Sequence, residues 1–188
     1  MIEQLYIPVI FGTTREQSKS YPAAQLIYDI SKEFKNVRSE IIDPKNFVFK
    51  GDGNDLETKD SNYSKITMEA DAFFIVTPEY NHSFPGSLKR MLDSELQNYL
   101  HKAVAFAGTS SGSWGGVRAI EALVMSVREM GLVSTFSDVQ FPRVQDLFDS
   151  NSNLKDERYK ERVRRAWVEL LWMTEALSKA RNSTSTLD

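Results

Sequence analysis

The stretch "DAFFIVTPEYNHSFPGSLKRMLD", residues 71–93, changes from a strand pattern to a helix pattern across one loop. Its first eight residues are an apolar run of the length that a fully buried strand needs. Pro85 then stands in the first turn of an amphipathic run, a position where helices accept proline. A buried strand followed by a helix is the repeating unit of parallel sheets, so this stretch predicts an α/β fold.

The same alternation recurs on both sides of this stretch. Four more buried strands are predicted, at 4–11, 37–42, 102–108 and 132–141. Further helices are predicted at 21–34, 116–131 and about 155–180. Residues 43–63 hold many turn formers and no clear period, which predicts a long surface excursion. The pattern predicts a flavodoxin-like, doubly wound, five-stranded parallel sheet in the order 2-1-3-4-5, with helices on both faces.

Length and composition favour one intracellular domain. The 188 residues suit a single domain, over 1–181, with a polar tail at 182–188. The absence of cysteine excludes disulfides and thiolate catalysis and fits a cytoplasmic protein. We expect no membrane span and, at a net charge of −3, no nucleic-acid partner. No metal is expected either, because neither histidine belongs to a metal-spaced cluster and Glu57 replaces the glycine that a calcium loop requires.

Polar segments follow the first, third and fourth predicted strands, whose carboxyl ends meet at one edge of such a sheet. The first segment, "GTTREQSKS" at 12–20, contributes four candidate anion ligands, Thr13, Arg15, Ser18 and Ser20, just before a helix N-terminus. It lacks the glycine patterns of nucleoside triphosphatases and of dinucleotide-binding folds. A phosphate-binding loop and an ordinary helix-capping loop are both compatible with it, and Arg15 favours the phosphate.

The second segment, "TPEYNHSFPGSLKRMLD" at 77–93, resembles the [ST]-P-E-Y-N-x-[ST]-x-P-G-x-L-K-x-x-[IL]-D signature of the NADPH-dependent FMN reductase family. This flavodoxin-like group includes quinone, azo and chromate reductases. "IPVIFGTTREQS" at 7–18 and "SSGSWGGVRAIEAL" at 110–123 are similar to two more stretches of that family. The resemblance covers residues 5–131 in order.

The resemblance implies an enzyme that binds FMN, takes hydride from NADPH or NADH and passes it to a small-molecule electron acceptor. Quinones, azo compounds, nitroaromatics, chromate and free flavin are the implied acceptors, and a homodimer or higher homo-oligomer is the implied assembly. The FMN phosphate is expected on the four residues of the first segment. The flavin ring is expected against seven residues, Pro78, Glu79, Tyr80, Asn81, Ser110, Gly112 and Ser113. Backbone N–H groups are expected to face the ring, and the glycines of 108–116 to let backbone approach it.

Several alternatives remain open at this point. A flavodoxin-type electron carrier or a non-catalytic flavin-binding protein is the main one, although five basic residues are typical of a nicotinamide phosphate site instead: Arg15, Lys19, Lys89, Arg90 and Arg118. His82 is either a proton relay or an exposed rim residue, Glu79 is either catalytic or structural, and Trp114 is either a lid or a subunit contact. The excursion at 44–65 departs from the family pattern.

A serine hydrolase is excluded by residue order. Gly108, Ser110 and Gly112 spell the G-x-S-x-G nucleophile motif. In that fold the catalytic histidine follows the serine along the chain. Both histidines, His82 and His101, precede Ser110, so no triad of that order can form.

Overall fold

The computed structural model describes residues 4–183, which form a parallel sheet covered by helices on both faces. The strand segments are β1 (Leu5–Tyr6), β2 (Val9–Phe11), β3 (Val37–Arg38), β4 (Ile41–Ile42), β5 (Ala72–Pro78), β6 (Ala103–Thr109), β7 (Val133–Ser134) and β8 (Val139–Phe141). The helices are α1 (Tyr21–Ser31), α2 (Ser61–Glu69), α3 (Gly86–Asp93), α4 (Val117–Glu129), α5 (Val144–Leu147) and α6 (Arg158–Ser183).

The lateral order of the main sheet is β4-β2-β5-β6-β7, with β8 also paired to β6. Seven residue pairs join β5 to β6 in parallel, from Ala72 beside Ala103 to Pro78 beside Thr109. The order of strands reverses between β2 and β5, so the loops that leave these strands diverge and leave a crevice at their carboxyl ends. The predicted doubly wound α/β fold with a parallel sheet is confirmed.

The strands away from the centre of the sheet are interrupted, which the predicted continuous strands did not anticipate. Pro8 has no N–H to donate and separates β1 from β2, although its carbonyl still accepts from Phe74 N at 3.0 Å. The strand predicted at 132–141 is split into β7 and β8. Between them, Phe136 N and Ser137 Oγ donate to the carboxylate of Glu169 in α6, at 2.7 and 2.6 Å. The Glu169 carboxylate therefore takes the place of the neighbouring strand as hydrogen-bond acceptor.

Two helices were missed by sequence reasoning. The excursion at 43–63 contains short 3₁₀ turns and the start of α2, whose first turn is capped by the Asp60 carboxylate accepting from Asn62 N and Tyr63 N. The buried residues of α2 are only Tyr63 and Thr67, so its sequence carries little amphipathic signal. The four-residue α5 is too short for any periodicity to reveal it.

The core has two layers, one on each face of the sheet. Alternate residues of β5 point to opposite faces: Phe74 and Val76 pack with α1 and α6, whereas Phe73 and Ile75 pack with α3 and α4. The predicted core positions Phe73, Phe74 and Trp167 are fully buried. Both layers seal the sheet, so only the ends of its strands are open to ligands.

Helix α6 extends past its predicted end at 180 to Ser183, so part of the predicted tail 182–188 is helical. Residues 184–188 lie outside the described residues. Trp172 is exposed on the outer face of α6, as its position off the apolar stripe predicts. In the described part of the chain, no helix combines the length and apolarity that crossing a membrane requires.

Asp138 gives the fold a pH dependence. Burial, reinforced by the nearby carboxylates of Glu121 and Glu169, raises the pKa of Asp138 to about 6. Because the folded state holds this proton more tightly than the unfolded chain, stability falls as pH rises through about 4 to 6. We expect Asp138→Asn to stabilise the fold by about 1 kcal/mol at about pH 7.5, after discounting for exposure, and by almost nothing at about pH 4. Urea unfolding at both pH values measures this, and an equal gain at both would contradict it.

Candidate functional site

A cavity of about 540 Å³ lies at the carboxyl edge of the sheet, beside the reversal of strand order. Seven predicted site residues line it: Arg15, Ser18, Ser20, Pro78, Glu79, Tyr80 and Ser110. Six lining residues were not among the predicted site residues: Gln17, Lys19, Thr109, Ser111, Val144 and Gln145. The remaining predicted residues, Thr13, Asn81, Gly112 and Ser113, belong to the same loops but do not line the cavity.

Two of the predicted phosphate ligands form hydrogen bonds with other residues of the protein. The Thr13 hydroxyl lies 3.2 Å from the Tyr80 hydroxyl and accepts from Arg15 N at 3.2 Å. The buried Ser20 hydroxyl lies 2.6 Å from the Thr109 hydroxyl of β6. Both hydroxyls therefore tie the loop after β2 to its neighbours, Tyr80 and Thr109.

Other hydrogen-bond donors of this loop have no partner among the described residues. Within residues 4–183 the Arg15 guanidinium has no hydrogen bond or ion pair, and neither do the backbone N–H groups of residues 16–19. Ser18 Oγ accepts from Ser20 N at 3.2 Å and keeps its own hydrogen to donate. Ser20 precedes α1 but its side chain makes no capping bond, which removes the main support for an ordinary capping loop.

The loop after β5 closes in a tight turn. Tyr80 and Ser83 exchange two backbone hydrogen bonds, of 2.8 and 3.0 Å, and the residues between them, Asn81 and His82, have φ values of 51° and 64°. This is a type I′ arrangement, which asparagine tolerates well. Glu79 N also donates internally, to Thr109 O at 3.0 Å. Among the described residues only Asn81 and His82 of residues 79–83 keep N–H groups without an internal acceptor.

The glycines of the loop after β6 have a packing role inside the protein. A Cβ on Gly116 would lie 2.5 Å from Thr109 N, and one on Gly108 would lie 2.7 Å from the carbonyl oxygens of Gly115 and Gly116. Gly108 and Gly116 therefore let the loop fold back onto β6, backbone against backbone, whereas a Cβ on Gly115 would lie 2.7 Å from Gln140 Cβ of β8. The expectation that these glycines let backbone approach a flat ring stays a prediction. Among the glycines of 108–116, only Gly112 could take a Cβ that meets no other atom within 4 Å.

Ser110 is tied to the strand at the sheet edge. Its N–H donates to Phe141 O at 3.2 Å, its carbonyl accepts from Val144 N at 3.0 Å, and its hydroxyl donates to Gly112 O at 3.0 Å. The serine hydroxyl is thus engaged with backbone and not with an imidazole. Ser110 holds the loop in place.

The segment after β8 is a fourth wall that sequence reasoning missed. Arg143 adopts a left-handed conformation, with φ at 44°, and donates its N–H to Gly112 O at 2.9 Å. This turn sends Val144 and Gln145 to the cavity. A signal was present, since the fifth predicted strand also ends at the carboxyl edge, but only three loops were assigned there.

One ion pair borders the cavity. Arg118 Nη1 lies 3.2 Å from Glu79 Oε1, and the Arg118 guanidinium carbon lies 5.4 Å from the centre of the Trp114 ring. Glu79 Oε2 is buried and has no hydrogen-bond partner among the described residues. The Trp114 side chain is 64% exposed, so it packs on Arg118 with most of its surface open. His82 is exposed at the rim.

The other basic residues divide into two groups. Arg15 and Lys19 line the cavity. Lys89 pairs with Asp93 at 2.5 Å, and Arg90 donates to the carbonyls of Gly53 and Lys50 at 3.1 and 2.6 Å. Arg90 therefore fastens the excursion to α3 and is not available to a ligand. Over residues 4–183 no cluster of three or more His, Asp or Glu side chains could hold a metal ion.

Comparison with known proteins identifies the group to which this arrangement belongs. Residues 5–146 match the family described as "NADPH-dependent FMN reductase". A protein of Oryza sativa subsp. japonica named "Probable NADPH:quinone oxidoreductase 1" is 31% identical over 144 residues, which cover 66% of this chain and 70% of that protein. The NADPH azoreductase of Bacillus sp. (strain OY1-2) is 27% identical over 122 residues, covering 63% of this chain and 66% of that protein.

A solved structure agrees at the level of the fold. FerB, described as a flavoenzyme NAD(P)H:(acceptor) oxidoreductase from Paracoccus denitrificans, superposes with a TM-score of 0.71 at 19% identity, over 91% of this chain and 98% of that chain. The family match spans β1 to α5 and so includes all four walls of the cavity. The chain belongs to the NADPH-dependent FMN reductase family of oxidoreductases, with the flavodoxin-like fold that its sequence predicts.

Proposed function

We propose that this protein binds FMN in the cavity at the carboxyl edge and passes hydride from NADPH or NADH to a small acceptor. The observation that carries the proposal is the cavity itself. On the loop after β2 it has the Arg15 guanidinium and the N–H groups of residues 17–19, and on the loop after β6 the N–H group of Ser111, none of which has a partner among the described residues. An elongated ligand with an anionic end and a hydrogen-bonding ring fits that distribution of donors.

The phosphate end would be held by the loop after β2. The Arg15 guanidinium supplies a fixed charge, and Ser18 and the N–H groups of residues 16–19 supply hydrogen bonds at the N-terminal end of α1. Thr13 and Ser20 act indirectly, because their hydroxyls hold this loop against Tyr80 and Thr109. Of the four predicted phosphate residues, two would thus bind the phosphate and two would position the loop.

The ring end would lie between the loops after β5 and β6. Pro78 and Tyr80 supply flat apolar surface, and the N–H groups of Asn81 and of residues 111–113 have no acceptor inside the described protein. Ser110, Gly112 and Ser113 belong to this second loop, which Phe141 and Arg143 hold in place. When bound, FMN supplies a hydride acceptor toward NAD(P)H and a hydride donor toward the second substrate. No side-chain nucleophile is needed.

Quinones and azo compounds are the acceptors that we propose first, because they appear in the names of the relatives. The second candidate function is a flavodoxin-type electron carrier, which the fold alone permits. Lys19, a cation in the cavity wall that the proposed FMN phosphate site does not use, favours an anionic nucleotide donor over docking by acidic residues.

A visible spectrum and an anaerobic titration test the proposal. We expect the purified protein to be yellow, or to become yellow with added FMN, and to bleach when NADPH or NADH is added without oxygen. Subsequent addition of a quinone or an azo dye should restore the flavin absorbance. A protein that cannot bind FMN contradicts the proposal, and one that binds FMN but is bleached by neither nucleotide supports the carrier.

Loss of the Arg15 charge should weaken FMN binding. A charge-assisted contact with phosphate contributes about 1.5–3 kcal/mol, so we expect Arg15→Ala to raise the Kd for FMN by about 10- to 100-fold. Quenching of FMN fluorescence measures the Kd. Arg128→Ala, an exposed arginine on α4 outside the cavity, is the matched control and should leave the Kd unchanged. An unaltered Kd in Arg15→Ala would remove Arg15 from the phosphate site.

The proposal extends to the location and the assembly of the protein. We infer a cytoplasmic location because a chain without cysteine is suited to a reducing compartment. We also infer a homo-oligomer, for which the exposed Trp114 and Trp172 are candidate contacts. Sedimentation analysis of the purified protein measures the assembly, and a monomer at micromolar concentration would contradict it.

A further inference from the structure

At the cavity wall, a nearly buried carboxylate, that of Glu79, forms an ion pair with a more exposed guanidinium, that of Arg118. Glu79 comes directly after β5 and its side chain is only 10% exposed, whereas that of Arg118, in the first turn of α4, is 40% exposed. Their closest nitrogen and oxygen lie 3.2 Å apart. Glu79 lines the cavity and Arg118 does not, so the anion is nearer to a bound ligand than the cation is.

Glu79 depends on this one cation. Its Oε1 accepts from Arg118 Nη1, but its buried Oε2 has no hydrogen-bond donor among the described residues. Buried carboxylates normally gather several donors, because burial without them is costly. Here a single guanidinium compensates the whole charge. The same guanidinium lies over the Trp114 ring, with its carbon 5.4 Å from the ring centre.

We propose that Arg118, acting through Glu79, sets the reduction potential of the bound FMN. This inference rests on the proposed function. Transfer of hydride converts FMN and NAD(P)H into anionic reduced FMN and NAD(P)⁺, so the ring gains one negative charge. A lone carboxylate in the wall opposes that charge, strongly so where water is excluded, and a paired carboxylate opposes it much less. Arg118 is therefore a positioning residue that favours the reduced state of the cofactor.

The test compares how tightly oxidised and reduced FMN bind to the intact protein and its variants. In Arg118→Gln we expect reduced FMN to lose about tenfold in affinity relative to oxidised FMN, which lowers the midpoint potential by about 30 mV for a two-electron couple. Glu79→Gln should shift the ratio in the opposite direction. The double variant, which lacks both charges, should return to within about threefold of the unmodified protein. Arg128→Gln on the same helix is the control and should leave the ratio unchanged.

The outcomes separate an electrostatic role from a merely structural one. A structural role would lower the melting temperature in both single variants but leave the ratio of the two affinities as it was, and that result overturns the inference. A shift of the same sign in both single variants overturns it as well. If the unmodified protein fails to bind FMN, the proposed function itself is contradicted. If it binds FMN and only the ratio is insensitive to Arg118, the proposed function stands and this inference fails.

Discussion

Replacing Trp167 by alanine is expected to destabilise the protein by about 3–5 kcal/mol, a large share of the stability of a domain this size. The side chain is fully buried on α6, with its ring centre 5.3 Å from that of Phe74 in β5. Its indole Nε1 donates to Ile27 O of α1 at 3.0 Å. One residue thus joins two helices and the central sheet, and its removal leaves a cavity that these rigid elements cannot close.

The same helix contains a matched control. Trp172 is 68% exposed, so Trp172→Ala should change stability by less than about 0.5 kcal/mol. Trp167→Phe keeps most of the packing but removes the indole hydrogen bond to Ile27 O, and should fall between the two. Urea unfolding of the three variants gives the free energies. Similar losses for Trp167→Ala and Trp172→Ala would contradict the assignment of the buried face of α6.

The second large effect is expected at Gly116. Its φ of 84° is a conformation that side chains rarely adopt, and an added Cβ would lie 2.5 Å from Thr109 N and 2.7 Å from two atoms of Gly108. Left-handed backbone costs about 1–2 kcal/mol in a residue with a side chain, and the clash with backbone adds to it, so we expect Gly116→Ala to destabilise by about 3 kcal/mol or more.

We also expect Gly116→Ala to abolish FMN binding, in addition to lowering the stability of the fold. The loop that Gly116 folds onto β6 includes Ser110 and residues 111–113, so a displaced loop moves donors away from the cavity. We expect FMN binding to be lost even where the protein remains folded. Gly112→Ala is the control, because a Cβ at Gly112 meets nothing within 4 Å, and its stability should be unchanged within about 0.5 kcal/mol. Fluorescence quenching by apoprotein and thermal unfolding measure the two effects. A Gly116→Ala protein that binds FMN normally would show that the loop tolerates displacement.

Sequence reasoning succeeded where local pattern and burial agree. The strands β5 and β6 are buried along their whole length, and their continuous apolar runs identified them with nearly correct limits. Toward the edges of the sheet, pairing competes with side-chain acceptors such as Glu169, and the apolar pattern does not reveal which partner a backbone N–H will take. The interruption between β7 and β8 could not be predicted for that reason.

The candidate site divides in a similar way. Arg15 and Ser18 were predicted from residue type and position, and the structure places both at the cavity. Gly108 and Gly116 were predicted to approach a ligand, but each packs against the other's backbone. A glycine pattern shows that something comes close to the chain, and does not show what it is.

The amino-acid sequence by itself determined the alternation of strand and helix, the parallel sheet and the loops that gather at its carboxyl edge. These features follow from apolar periodicity and turn residues, which act over a few neighbouring positions. The tertiary structure alone decided that the segment after β8 forms a fourth wall and that Glu79 pairs with Arg118. Those contacts join residues far apart in the chain, and their existence depends on how whole elements pack.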